Sequence, residues 1–210
     1  MILRFAAALA LVLGLGAFLA YLHLLGEGPF AGPAERHLRA MKDRATAPDS
    51  VTPFGMAEFA ALPHGQTLAR YAPLERRGVS FEGFVTGMLR APDADVHLEV
   101  EPLAPLPDSL RGLYVTAEIT PPWRRDAPGW TYEELAAAFR PDRGMLTAWP
   151  GGPARVRVSG WLLYDFQYDV ANGLTARDRR TQRLTGWEIH PVARIETWDD
   201  SLARYVEYPR

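Results

Sequence analysis

Two short stretches carry side chains that could do chemistry together. Asp95-Val96-His97 sets a carboxylate and an imidazole two residues apart, and Glu188-Ile189-His190 repeats that arrangement far downstream. A spacing of two puts both groups on the same face of an extended strand. Glu118 and Asp165 stand at the ends of two further apolar runs and complete the candidate group. Carboxylates and imidazoles converging on one face can bind a divalent cation or act as a general acid–base pair, because imidazole ordinarily titrates near neutrality. The spacing matches neither H-E-x-x-H nor an EF-hand loop. The competing reading is a solvated, half-exposed sheet face, with His190 bonding a loop carbonyl and Asp165 ending its strand. A second candidate set is basic: Arg177, Arg179, Arg180 and Arg183 lie in the excursion before the last long strand. Trp161, Tyr164, Phe166, Tyr168 and Trp187 nearby offer stacking surfaces. No G-x-S-x-G elbow surrounds Ser80 or Ser159, and Gly151-Gly152 precedes a strand rather than the helix that a phosphate loop opens.

Composition narrows the chemistry further. The 210 residues contain no cysteine, which removes disulfides, thiolate zinc sites, iron–sulfur clusters and cysteine nucleophiles. A formal net charge of -2 gives no whole-molecule field to recruit a polyanion. A hydrophobic content of 48% excludes a disordered chain.

The elements that must position these residues follow from periodicity. Phe5–Leu25 is almost wholly apolar, and as a helix of about 21 residues it would span ~31 Å, near the thickness of a bilayer core. Residues 1–26 are therefore expected to be an uncleaved single-pass anchor in the cell membrane, with a cleaved signal peptide as the rival. Its short basic start resembles an export signal and puts the remaining chain outside the cytoplasm. Arg36, Arg39, Lys42 and Arg44 weigh the other way. Residues 27–78 read as a linker with short helices: a Gly/Pro hinge at Gly26–Gly32, a charged helix over Ala34–Arg44, and a helix opened by Thr52-Pro53 that runs to Ala61. Residues 79–200 read as a β domain and 201–210 as a tail.

Within the β domain the period is two. Strands are expected at Val79–Arg90, Asp95–Glu101, Leu113–Ile119, Ala154–Asp165 and Leu184–Glu196, with turns at Ala91–Ala94 and Asn172-Gly173. Thr131-Tyr132-Glu133-Glu134 is a capping box that opens a helix to Phe139, ahead of Pro141. The expected fold is mainly β: a five-stranded OB-fold-like barrel with a helix between its third and fourth strands. Gly83, Gly87 and Gly160 suit the sharp bends of a small barrel. An open antiparallel sheet with a covering helix is the runner-up.

Three motifs carry a resemblance. Asp95-x-His97-Leu98, Val158-x-Gly160-x-Leu162-x-x-Asp165 and Trp187-Glu188-Ile189-His190-Pro191-Val192 resemble a group of mostly bacterial small β-proteins over Val79–Trp198. The resemblance implies fold and no activity. The acidic turn Pro92-Asp93-Ala94-Asp95, before a strand ending in Ile119-Thr120-Pro121, is more distantly similar to staphylococcal-nuclease-type OB-folds. That family's D-G-D-T is replaced here by D-A-D-V, so no catalytic role transfers.

The functional expectation is a membrane-tethered binding or assembly module for a protein, peptide or small ligand rather than an enzyme. The alternative is a metal-dependent hydrolase built on Asp95, His97, Glu118, Asp165, Glu188 and His190, with His97 and His190 both in the site. No cofactor beyond a divalent metal is implied. Single-stranded nucleic acid is disfavoured, because Asp95, Glu99, Glu101 and Glu118 make the platform strands acidic against the basic loop.

Overall fold

Alternation of apolar and polar residues from Gly78 onward closes a sheet on itself. The computed structural model describes residues 2–24, 31–104, 112–125, 127–143, 151–168 and 182–209, in two units, Met1–Met41 and Lys42–Arg210. The first unit holds helix α1 (Ile2–Leu24) and most of α2 (Pro33–Lys42). Among the described residues no helix is long and apolar enough to cross a membrane. The expected anchor is thus not supported.

The second unit begins its sheet earlier than expected. Val51–Phe54 is a strand, β1, paired in parallel with β2 (Gly78–Arg90), and the helix placed there by sequence shrinks to α3 (Met56–Ala60). Pro53 explains the correction. A proline cannot donate to a ladder, but among the described residues β1 pairs with β2 alone, and an edge position tolerates it. Gly55 then starts α3, its amide donating to Glu58 Oε2 at 2.8 Å. A short helix α4 (Leu68–Tyr71) follows.

The barrel comprises β2, β3 (Val96–Pro102), β4 (Tyr114–Ile119), β5 (Arg155–Tyr164) and β6 (Arg183–Asp199). Its order is β2-β3-β4-β6-β5, closed by β5 returning to β2. The β4–β6 pair is parallel and the other barrel pairs are antiparallel. Between β4 and β5 come α5 (Pro121–Arg124) and α6 (Tyr132–Phe139). The expected capping box forms at α6: Thr131 Oγ1 accepts from Glu134 N at 3.3 Å, and Glu134 Oε2 accepts from Thr131 N at 3.1 Å. A last strand, β7 (Arg204–Glu207), pairs antiparallel with the end of β6, inside the segment expected to be a tail. The turn expected at Asn172-Gly173 lies outside the described residues.

Inward-facing Phe81, Leu98, Ala117, Val158, Ile189 and Ile195 fill the barrel, all essentially without exposure. Leu135 and Phe139 of α6 join this core, as does Phe59 of α3, which packs edge-on to Phe81 with ring centroids 5.8 Å apart. Gly160 is where β5 bends against β6, at an irregularity in their register. A Cβ there would lie 2.2 Å from the Pro191 carbonyl oxygen and 2.9 Å from Ile189 Cγ2. Gly160→Ala is therefore expected to cost about 1–3 kcal/mol through overpacking. An unchanged urea midpoint would show that the bend does not need glycine.

Candidate functional site

The outward-facing side of β3, β4 and β6 is the unexpected part of the molecule. Alternation predicts a wet polar face there, yet Asp95, His97, Glu118, Asp165, Glu188 and His190 are all buried. Charges leave water at a cost of several kcal/mol each unless they are paired, and here they are. Register sets the pairing: His97 on β3 lies opposite Glu118 on β4, and Thr116 on β4 lies beside Glu188 on β6. The structure thus brings together all six side chains, from β3, β4, β6 and the residues flanking β3 and β5.

His190 is at the centre. Its Nδ1–H donates to Glu188 Oε1 at 2.8 Å and lies 3.4 Å from Glu118 Oε2. His97 Nδ1–H donates to the other Glu118 oxygen, Oε1, at 2.9 Å. His190 Nε2 lies 3.2 Å from Asp95 Oδ2. That contact is an ion-pair distance without hydrogen-bond alignment, and among the described residues Nε2 has no hydrogen-bond partner although it is fully buried. His97 Nε2 also lacks one.

Among the described residues two cations complete the face, and sequence placed neither of them there. Arg183, expected on an exposed basic loop, instead opens β6 and is buried. Its Nη1 donates to Glu188 Oε2 at 3.0 Å, its Nη2 lies 3.5 Å from Glu118 Oε1, and its guanidinium stacks 3.5 Å above the Tyr168 ring. The correction follows from pairing: Glu188 and Glu118 offset the cost of taking the guanidinium out of water. Arg177, Arg179 and Arg180 lie outside the described residues. Lys42 reaches in from the preceding segment, its Nζ 3.3 Å from Asp165 Oδ2 and 3.7 Å from Asp93 Oδ2. The sequence reading missed it, although Lys42 is the sole lysine in an arginine-rich chain. Arg44 then pins the same segment to the sheet, donating to the carbonyls of Glu75 at 2.6 Å and His190 at 2.9 Å.

Mutual proximity sets the ionisation. Burial alone would lower His190, but its contacts with Asp95 and Glu188 and the charge of Glu118 outweigh it and push the imidazole up to about 9. Burial raises Asp95 and Asp165, in each case only partly offset, by His190 for the first and by Lys42 and Arg183 for the second. Glu118 goes the other way. Against the upward push of burial, His97 and His190 hold it well below the usual carboxylate range. Lys42 is raised because Asp165, Glu118 and Glu188 overcome its desolvation.

A second feature is open rather than buried. The segment 47–51 overhangs the outer faces of β2, β5 and β6 and encloses a cleft of about 520 Å³. Cross-strand register lays its floor in two rows, Ser80–Ser159–Arg194 and Glu82–Arg157–Glu196. Arg157 holds the second row, with Nη2 2.7 Å from Glu82 Oε1 and Nη1 3.4 Å from Glu196 Oε2. Although burial pushes it up, Glu82 is held below its ordinary range by Arg157 and Tyr205. Arg194 is half exposed and reaches Glu196 at 3.4 Å and Glu207 at 3.2 Å. No known protein family, curated protein or solved structure matches the chain.

Proposed function

We propose that the chain is a binding module for a peptide or small polar ligand, held in the cleft over β2, β5 and β6. The observation that carries this reading is the cleft: about 520 Å³, open to solvent, with two hydroxyls, two guanidiniums and two carboxylates arranged in rows along its floor. Concave sites with a few convergent polar groups are where ligands bind. Mixed charge suits a ligand that carries both an acidic and a basic group. The strand order supports reading the barrel as an OB-fold: first, second, third, fifth and fourth, with the third and fifth parallel and a helix before the fourth. Burial of Arg183 removes one basic residue from the loop that a nucleic acid would use, and Glu99 and Glu101 remain on the platform strand. Both weigh against nucleic acid.

The reading is tested by titrating isotope-labelled protein with a library of zwitterionic tripeptides and fragments. Amide shifts are expected to cluster at Ser80, Arg157, Ser159 and Arg194, and Arg157→Ala should weaken binding tenfold or more, about 1.4 kcal/mol. Hits whose shifts map only to other surfaces would sink it.

A further inference from the structure

We infer that Asp95, Glu118 and His190 form a binding site for a first-row divalent cation of the Zn²⁺ and Mn²⁺ class. This site is separate from the cleft and does not depend on it. One ligand atom from each residue lies within 4.8 Å of the other two, and all three residues are buried. Buried carboxylates alone would not make a site. The second observation is His190 Nε2, which is fully buried, faces Asp95, and among the described residues has no aligned hydrogen-bond partner, only the ion-pair contact with Asp95. Its 3.2 Å separation from Asp95 Oδ2 is poorly aligned for a hydrogen bond. It does suit two atoms bound to one ion. Ligands about 2.1 Å from a metal, at tetrahedral or octahedral angles, stand roughly 3.0–3.4 Å apart.

The surroundings are those of a ligand set. A metal-binding histidine characteristically donates its other N–H to a carboxylate, and His190 Nδ1 does so to Glu188 at 2.8 Å. Glu188 is in turn fixed by Arg183 at 3.0 Å. His97 occupies Glu118 Oε1 at 2.9 Å, which orients that carboxylate, and its other oxygen lies 3.4 Å from His190 Nδ1. Charge agrees. Among the described residues the buried carboxylates Asp95, Glu118, Asp165 and Glu188 face the permanent cations Lys42 and Arg183. Once His190 has given up its proton, as a metal ligand must, the face carries two excess negative charges, which one divalent ion cancels. An imidazole donor with only two carboxylates selects a first-row metal, whereas Ca²⁺ requires six to eight oxygens. Because every ligand is buried, the ion would brace this face of the barrel.

The full chain, freed of metal by chelator, is incubated overnight with Zn²⁺, Mn²⁺ or Ca²⁺ and then melted. At about a hundredfold excess over Kd, Zn²⁺ should raise the melting temperature by roughly 5–10 °C, Mn²⁺ by less, and Ca²⁺ not at all. Bound Zn²⁺ should approach one per chain. Asp95→Asn and His190→Gln should each abolish the rise. Should either variant fail to fold, Mn²⁺ broadening in the unaltered protein decides: the resonances of Asp95, Glu118 and His190 should vanish first. Identical melting under every condition, a rise that survives in both variants, or broadening centred elsewhere would overturn the proposal.

Discussion

Replacing Arg183 by methionine is expected to destabilise the protein by about 3–5 kcal/mol, the cost of stranding buried charge when one partner is removed. Arg183 holds Glu188 at 3.0 Å and approaches Glu118 at 3.5 Å. Methionine fills much of the same volume, so little of the loss would come from a cavity. Urea unfolding at pH 7 measures it. Combining Arg183→Met with Glu188→Gln should cost clearly less than the sum of the two, because the second change removes a carboxylate that the first leaves unpaired. A cost below about 1 kcal/mol would place Arg183 on a solvated surface.

The second large effect is on pH dependence. With chelator present, stability should fall as pH rises from about 6.5 to about 9, by roughly 3 kcal/mol in total. The sign follows from His190, whose folded value of about 9 lies above the ordinary value of 6.5. In that window the folded protein keeps a proton that the unfolded chain has released. The stabilisation is complete below the lower value and lost through the upper one. Asp95 on the β3 side, Glu118 on β4, and Glu188 and Arg183 on β6 face or flank this imidazole, with Asp165 and Lys42 beyond them. The raised carboxyls Asp95 and Asp165 act in the same direction at lower pH. Glu118, held low, contributes stability above its ordinary range and loses it in acid. His190→Gln should flatten the slope above pH 6.5. A slope retained in that variant would assign the proton to another group.

What the sequence made legible depended on how local the signal was. The period-two runs around Leu98, Ala117, Val158 and Ile189 are local, and they located the barrel strands to within a few residues. The Thr131–Glu134 reciprocal cap is local too. Thr52-Pro53 misled because the same dipeptide starts a helix or sits on a sheet edge, and only the long-range pairing of Val51–Phe54 with Gly78–Phe81 decides between them. The convergence of Asp95, His97, Glu118, Asp165, Glu188 and His190 could be anticipated from their shared phase along the strands. Their burial could not. It arises from long-range contacts, among them Lys42 and Arg44 folding back from the segment before β1, with Arg44 and His190 more than a hundred positions apart. The cleft was equally invisible, since its two rows exist only once β2, β5 and β6 are in register.

The claim that this buried face is a cation site is tested most directly by anomalous diffraction. Crystals of the full chain grown with Zn²⁺ would be measured on both sides of the zinc absorption edge. The expected result is a single strong peak about 2.0–2.2 Å from His190 Nε2, with oxygens of Asp95 and Glu118 at similar distance. A map without a peak there, with His190 Nε2 donating a well-aligned hydrogen bond to Asp95, would contradict it and leave the face as a proton-linked charge network.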